Sequence, residues 1–597
     1  MSMFAFVHNK DLIDSFCSIG SACCMVCLFI FLTLSFYSST IAAALKASTR
    51  YGDVEGFVYR MKSGEDANVF LGIPYASPPI GALRFERTIP VRPWSETKKA
   101  IDYGASCFPH HKDAMSPNET YDEMCLYLNV MAPSKKSVSL LGYPVVVFIH
   151  GGGFMFSSSR PYGYETICDN FVSEGVIFVT LNYRLGFLGF LTTGDDALPG
   201  NAGLWDQTQA LIFISENIAA FGGDPRRITV MGQSAGAASV SALSLSPNSN
   251  VYFQQTIAFS GSIFCEFAIS DTVVADNIEL IKTVGCDSEN TAAMRDCMKK
   301  LDVDRIMDGV EKIGPSRRSK NLVKFHPRVD GQFFPHTPEE LLRTAPHMSN
   351  LVGVTNSEAS LFLLSDKEKL LSEVAVPESQ QKNFSADDFS NYIRSIVATK
   401  EQFGCQAEKF QRQLIEFYAH RDVPEDADSS FYLSRLDDVL SDVMFNMGIY
   451  YEVQLKVSNN WTTYFFVQEY HNSELHAHRP IKRAYHCNEF PYLYGFSAIE
   501  NVKFNDDDIE YKRNLLNSLL QFIKTGNPTD EHLEWFPVDS SHPSRYLSMT
   551  PKPTMKEEYR PHNVHFWTKV VSEEISRHVT TGMAFSGTTS CDEHTEL

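Results

Sequence analysis

The segment Ile228-Thr229-Val230-Met231-Gly232-Gln233-Ser234-Ala235-Gly236-Ala237-Ala238 runs from a β-branched stretch, through Gly-x-Ser-x-Gly, into small helix-compatible residues. A serine hydroxyl attacks a carbonyl only when it is held clear of its neighbours and given a base. Glycines on both sides of Ser234 remove side chains that would collide in so sharp a strand-to-helix bend. The bend also sets the hydroxyl at a helix N-terminus, where partial positive charge favours a developing anion. A second segment, His150-Gly151-Gly152-Gly153-Phe154, lets consecutive backbone N–H groups point at one spot. The N–H groups of Gly152, Gly153 and Ala235 are the expected donors to an oxyanion, and losing one such donor costs about 3 kcal/mol of transition-state stabilisation. A bare Gly-x-Ser-x-Gly is common by chance, and a glycine run alone reads as a flexible turn. Together, with a strand before and a helix after the serine, they point to acyl chemistry.

The rest of the chain must position these residues. From about Gly52 to Lys569 short β-branched or aromatic runs alternate with helical patterns, with no internal repeat, which predicts an α/β fold. Val145-Val146-Val147-Phe148-Ile149 is apolar on both faces and predicts a central, covered strand. Val176–Leu181, Ile228–Met231 and Thr463–Val467 read the same way. Asp507–Ile523 has apolar residues at helical spacing, acids at its start and Gly526-Asn527-Pro528 as a stop. The segment after about Val571 reads as a frayed tail.

These stretches resemble the type B carboxylesterase and cholinesterase family over nearly the whole mature chain. Further matching segments are Phe70–Ala76, Asp122–Val130, Asn182-Tyr183-Arg184, Asn201–Gln207 and Phe221–Pro225. The resemblance implies an α/β-hydrolase fold, with a large, mostly parallel, twisted sheet and helices on both faces. It also implies a serine esterase without a cofactor, whose substrates are a small-molecule ester and water. Serine, acid and histidine follow in that chain order. Leu351–Glu358 looks like the strand and loop that deliver the acid, so Glu358 is expected in that role. Arg483–Glu489 resembles the histidine loop, with His486 as base. Two departures stand out: Ala359 and Cys487 occupy positions where relatives usually have glycine. Gln233 replaces the glutamate most relatives carry before the nucleophile. The loss of charge should weaken attraction for cations and leave the triad untouched. Cholinesterases place a tryptophan ten positions before the second cysteine of the first disulfide loop, to stack on quaternary ammonium. Met115 stands there instead, so choline esters fit poorly.

The formal net charge of −20 speaks against nucleic acid as a partner. Residues 1–44 read as a secretory leader, with an apolar centre at Met25–Phe36 and small residues at Ala42-Ala43-Ala44. An uncleaved anchor is the alternative, and both place the remainder in the lumen. The last four residues, His594-Thr595-Glu596-Leu597, resemble a retrieval tetrapeptide read by a receptor of the endoplasmic reticulum. The expected organisation is therefore a leader (1–44), an esterase domain (45–570) and a tail (571–597), in the lumen of the endoplasmic reticulum. Four of the 13 cysteines fall in the leader. Of the nine that remain, Cys107 with Cys125 and Cys286 with Cys297 would each close a short loop, worth about 3 kcal/mol. Cys168, Cys265, Cys405 and Cys591 have no assignable partner. Asn118, Asn383 and Asn460 lie in glycosylation sequons.

Other groupings read as decoys. His471, Glu474, His476 and His478 match no zinc spacing and suit a polar surface loop. His110-His111 reads as solvated, and Asp506-Asp507-Asp508 as a solvated helix start lacking the glycine and glutamate of a calcium loop. A catalytically silent binding protein on the same scaffold, as in the neuroligins, is the competing class, since a fold alone does not prove chemistry. Those relatives usually lack the serine, whereas all three triad residues are present here. Insect juvenile-hormone esterases share the glutamine at position 233, so a long-chain or hormone-like ester stays open.

Overall fold

In a computed structural model the described residues are 45–317, 319–364, 372–474, 478–499 and 503–581. The leader, the terminal tetrapeptide, His476 and Cys591 lie outside them. In chain order the main strands are β1 (Phe57–Arg60), β2 (Asp66–Pro74), β3 (Tyr127–Pro133), β4 (Tyr143–Ile149), β5 (Ile177–Leu181), β6 (Gly223–Gln233), β7 (Gln255–Phe259), β8 (Ser349–Thr355), β9 (Thr463–Gln468), β10 (Tyr546–Met549) and β11 (Thr554–Lys556). They form one 11-stranded sheet in the order β11-β10-β9-β8-β7-β6-β4-β5-β3-β2-β1. The run from β10 to β5 is parallel, and the remaining pairings are antiparallel. The expected α/β-hydrolase sheet is present, and each of the four strands read from the sequence lies in its parallel centre. Residues Val145–Ile149 of β4 are buried throughout, as a strand covered on both faces must be.

The helices used below are α1 (Ala202–Asn217), α2 (Ala235–Leu245), α3 (Ser429–Ser441), α4 (Asp506–Thr525) and α5 (Glu573–Thr581). Strand order reverses around β4, which lies between β5 and β6. In open α/β sheets the crevice outside the carboxyl ends of strands at such a switch is where ligands bind. Ile149 pairs with Gly232 across β4 and β6, so the glycine loop and the serine turn leave the sheet side by side. Phe259 pairs with Gln233 on one side and Gly353 on the other, and Thr355 pairs with Gln468. The loops after β8 and β9 therefore open on the same edge.

Several motif residues fasten this edge. Arg184 holds Asp206 of α1 in a buried ion pair, with Nε and Nη2 each 2.8 Å from a carboxylate oxygen. The Tyr183 hydroxyl donates to the His150 carbonyl at 3.0 Å, which fixes the start of the glycine loop. Both expected disulfides, Cys107–Cys125 and Cys286–Cys297, are formed. Cys405 is also disulfide-bonded, while Cys168, Cys265 and Cys487 are buried and stand outside these disulfides.

Three readings of the sequence change. Asp508 is not solvated: it is fully buried and closes a capping box with Asn505, while accepting from Asn472 and Tyr492 at 2.6 and 2.8 Å. His110 and His111 are also buried. The His110 ring lies 2.9 Å from the Pro315 carbonyl, and burial pushes its pKa down to about 4. The segment after Val571 is not frayed as far as Thr581, because α5 buries Ile575 and Val579 on one face, a four-residue spacing that returns both side chains to the same stripe. Among the described residues no helix is long and apolar enough to cross a membrane.

Candidate active site

Ser234 sits between β6 and α2 with φ 58° and ψ −125°, a conformation that an L-residue adopts only at a cost of order 1–3 kcal/mol. Its N–H donates to the Phe259 carbonyl at 2.8 Å, which pins the turn to β7. The flanking glycines are required by contact. A Cβ on Gly236 would stand 2.1 Å from the Ile149 carbonyl oxygen, and one on Gly232 would stand 2.3 Å from the carbonyl of Gly236. The serine is thus lifted because backbone is packed directly against backbone beneath it.

The glycine loop meets this turn from β4. Gly152 and Gly153 have φ of 97° and 61°, and a Cβ on Gly152 would strike the Phe156 carbonyl at 2.1 Å. Among the described residues no acceptor takes the N–H of Gly152, Gly153 or Ala235. Unused backbone donors at a helix start and a glycine turn are suited to an oxyanion. His150 supports the loop rather than reacting. It is buried, its Nδ1 lies 2.9 Å from the Gly151 carbonyl, its ring stacks on Tyr183, and burial pushes its pKa to about 4.

Glu358 and His486 come together as expected. Glu358 is fully buried. One of its oxygens accepts from the Thr355 N–H at 2.7 Å and the other from His486 Nδ1 at 2.6 Å. Because a carboxylate only accepts, that contact fixes the proton on Nδ1 and leaves Nε2 with a lone pair. The ring is clamped by Phe362 and Phe445, with centroids 5.3 and 4.7 Å away. Ala359 has φ −83°, so no glycine is needed there, and its N–H donates to Ser441 Oγ of α3 at 2.9 Å. Cys487 does keep a positive φ of 71°, so the thiol residue carries the backbone geometry that glycine would tolerate better.

Gln233 does not leave the triad untouched. Its Nε2 donates to His486 Nε2 at 3.1 Å, and Ser234 Oγ makes no hydrogen bond among the described residues. The amide reaches the imidazole because the elbow turns its side chain back over the glycine loop, toward Gly151. Ser234, His486, Gln233, Gly152 and Gly153 line one cavity of about 500 Å³. Its wall is largely apolar, with Met155, Phe267, Leu322 and Met444, and it holds no tryptophan. Met115, partly exposed on the Cys107–Cys125 loop, is not part of that wall. Glu489, which the reading of the sequence passed over, is buried near the base. It accepts from Gln468 at 2.9 Å, and burial pushes its pKa up to about 7. Its only signal was its place three residues after His486.

Comparison with known proteins gives the family. The model of the carboxylesterase family matches residues 43–567. The chain belongs to the carboxylesterase family. Gut esterase 1 of Caenorhabditis briggsae is 32% identical to this esterase over 92% of the present chain and 96% of its own. Cholinesterase of Mus musculus is 31% identical over 87% and 86% of the two chains. Cocaine esterase of Homo sapiens is 28% identical over 88% and 92%. This esterase is accordingly a carboxylic-ester hydrolase on an α/β-hydrolase fold. Of the decoy cluster, Glu474 is exposed and His471 half-buried, while His478, also exposed, reaches the cavity rim.

Proposed function

We propose that the esterase hydrolyses small, mostly uncharged carboxylic esters through an acyl-enzyme on Ser234. The observation that carries this reading is the 2.6 Å contact between Glu358 and His486 Nδ1, which presents the basic Nε2 in the cavity that Ser234 also lines. For reaction, the Gln233 amide must give up Nε2 to the serine hydroxyl. His486 then takes the proton as Ser234 attacks the ester carbonyl, and Glu358 stabilises the imidazolium. The N–H groups of Gly152, Gly153 and Ala235 receive the oxyanion. The imidazolium returns its proton to the leaving alcohol, and water, activated by the same base, releases the acid. An apolar wall without tryptophan, and an amide in place of a carboxylate at 233, support neutral over quaternary-ammonium substrates. The test is turnover of p-nitrophenyl acetate by the purified full chain. Ser234→Ala should abolish it, by a factor of about 10⁵ or more, and unchanged turnover would overturn the nucleophile.

We further propose that the protein resides in the lumen of the endoplasmic reticulum, retrieved by a receptor through residues 594–597. Two disulfides and the exposure of Asn118, Asn383 and Asn460 support an oxidising, glycosylating compartment. Deleting the last four residues should send the esterase to the medium, whereas continued retention would favour the membrane-anchor alternative.

A further inference from the structure

A second cavity, of about 360 Å³, shares no wall residue with the catalytic one. Four arginines line it: Arg421, Arg435, Arg483 and Arg560. Asp438 is the one acid on the same wall, and a single oxygen of it serves both Arg483 and Arg560, at 2.8 and 3.3 Å. Asp442 takes the Nε of Arg560 at 3.1 Å but is shared with the Tyr418 hydroxyl and the Asn563 amide. Asp437 lies 3.7 Å from Arg483.

Arg421 and Arg435 are less well matched. Arg421 faces Asp422, whose side chain is 83% exposed, at 3.5 Å. Arg435 has no ion-pair partner among the described residues, and its Nη2 donates only to the Arg421 carbonyl at 3.0 Å. Buried Nε atoms of both make no hydrogen bond. Each guanidinium is instead laid over a ring, Arg421 over Phe417 at 4.1 Å and Arg435 over Phe431 at 4.8 Å. Such stacking holds the planar fork in place and leaves its edge for an acceptor. Burial also lowers the pKa of Arg435, a loss of hydration that the nearby charges of Asp438 and Asp422 do not fully offset. A chain of net charge −20 does not draw anions by its overall field, so this concentration of guanidinium is a local departure.

The cavity abuts both halves of the triad. Asn356, on its wall, accepts the Ala484 N–H at 3.0 Å; these residues stand two places before Glu358 and His486. Ser357, next to the acid, donates to Asp437 at 2.7 Å. Ala359, on its other side, donates to Ser441, which in turn donates to Asp437 at 3.1 Å. One turn of α3 therefore braces the acid loop from behind and carries Asp438 into the cavity.

We propose that this cavity binds a small phosphoryl dianion in the guanidinium forks of Arg421, Arg435 and Arg483, and that occupancy shifts the loops bearing Glu358 and His486. A tetrahedral dianion offers acceptors in several directions, which suits converging forks. The binding half stands alone; the coupling half rests on the triad described above.

The test is calorimetric titration of the full chain with inorganic phosphate at constant ionic strength, alongside p-nitrophenyl acetate turnover. Saturable millimolar or tighter binding is expected, weakened about tenfold or more in Arg421→Gln/Arg435→Gln, with phosphate altering wild-type turnover. Absence of saturable binding, or equal binding by the double variant, overturns the site. Should the double variant melt early, Arg435→Lys serves in its place, and crystals soaked in tungstate should show density between the arginines; density elsewhere alone overturns the assignment. Phenyl phosphate separates the sources: competition by it assigns a phosphomonoester, and its exclusion assigns free phosphate. Binding with turnover unmoved overturns the coupling. A Ser234→Ala variant that binds phosphate yet hydrolyses normally overturns the triad reading and not the site.

Discussion

The serine turn and the acid–histidine pair, which the proposed mechanism joins in one reaction, are held by different means. Around Ser234 backbone packs on backbone, and the approaches of Gly232 and Gly236 leave no room for a methyl group. Around Glu358 and His486 the positions are set by bonds between backbone and side chain: Glu358 accepts from the Thr355 N–H, Asn356 from the Ala484 N–H and Ser441 from the Ala359 N–H. A region built on close backbone contact dictates residue type locally. A region built on reaching side chains tolerates replacement at individual positions, and Ala359 and Cys487 stand there without displacing the pair.

Four substitutions sharpen or break that contrast. The largest effect should come from Glu358→Gln, which leaves the shape but has one acceptor oxygen in place of two; with that oxygen on the Thr355 N–H, an NH2 faces Nδ1 and no longer fixes its proton. A loss of about 10⁴ in kcat is expected with the melting temperature nearly unchanged. A loss below about tenfold would mean that side-chain bonding is not what prepares the base. Gly236→Ala should instead destabilise the fold by about 3 kcal/mol or more, because the new methyl meets the backbone carbonyls of Ile149 and His150, which have no side-chain freedom to give way. Chemical denaturation reads this directly, and a stable, active Gly236→Ala protein would erase the distinction.

Gln233→Glu places a carboxylate against His486 Nε2. Negative charge favours the imidazolium, so the acidic limb of the kcat/KM profile should move to higher pH and activity on that limb should fall. An unmoved profile would show that the 3.1 Å contact is lost when the enzyme works.

The smallest effect concerns Asp437, whose pKa burial pushes up to about 7. Folding then takes up a proton between about pH 4, where the unfolded carboxyl ionises, and pH 7. Stability from this group is complete below that window and is lost as pH rises through it. Asp437→Asn should make the fall in stability from pH 5 to 7 shallower by up to about 1.4 kcal/mol per pH unit. Parallel curves for the two proteins would contradict a buried proton at this site.

The same contrast explains what the sequence disclosed. The serine turn, the glycine loop and the central strands could be read from local pattern because each depends on neighbours in the chain. Glu358 and His486 needed the family resemblance, since 128 positions separate them and neither is marked by its own surroundings. The contact of Gln233 with His486 was missed because it joins the end of β6 to a loop 253 positions away, a distance no pattern records. Asp508 and the His110-His111 pair were read as solvated because polar runs suggest water, whereas buried partners supplied by Asn472, Tyr492 and Pro315 satisfy Asp508 and His110 instead. Helix α5 escaped notice because two apolar residues one turn apart are a faint signal until a core receives them.

The left-handed backbone of Ser234 carries an evolutionary corollary. Ser234→Gly would relax a strained torsion pair and, on that count alone, make the folded chain sturdier, while on the proposed mechanism it ends all turnover. Inactivation at this codon is therefore downhill for the scaffold, and a hydrolase of this architecture can drift into a silent binding module without first becoming fragile.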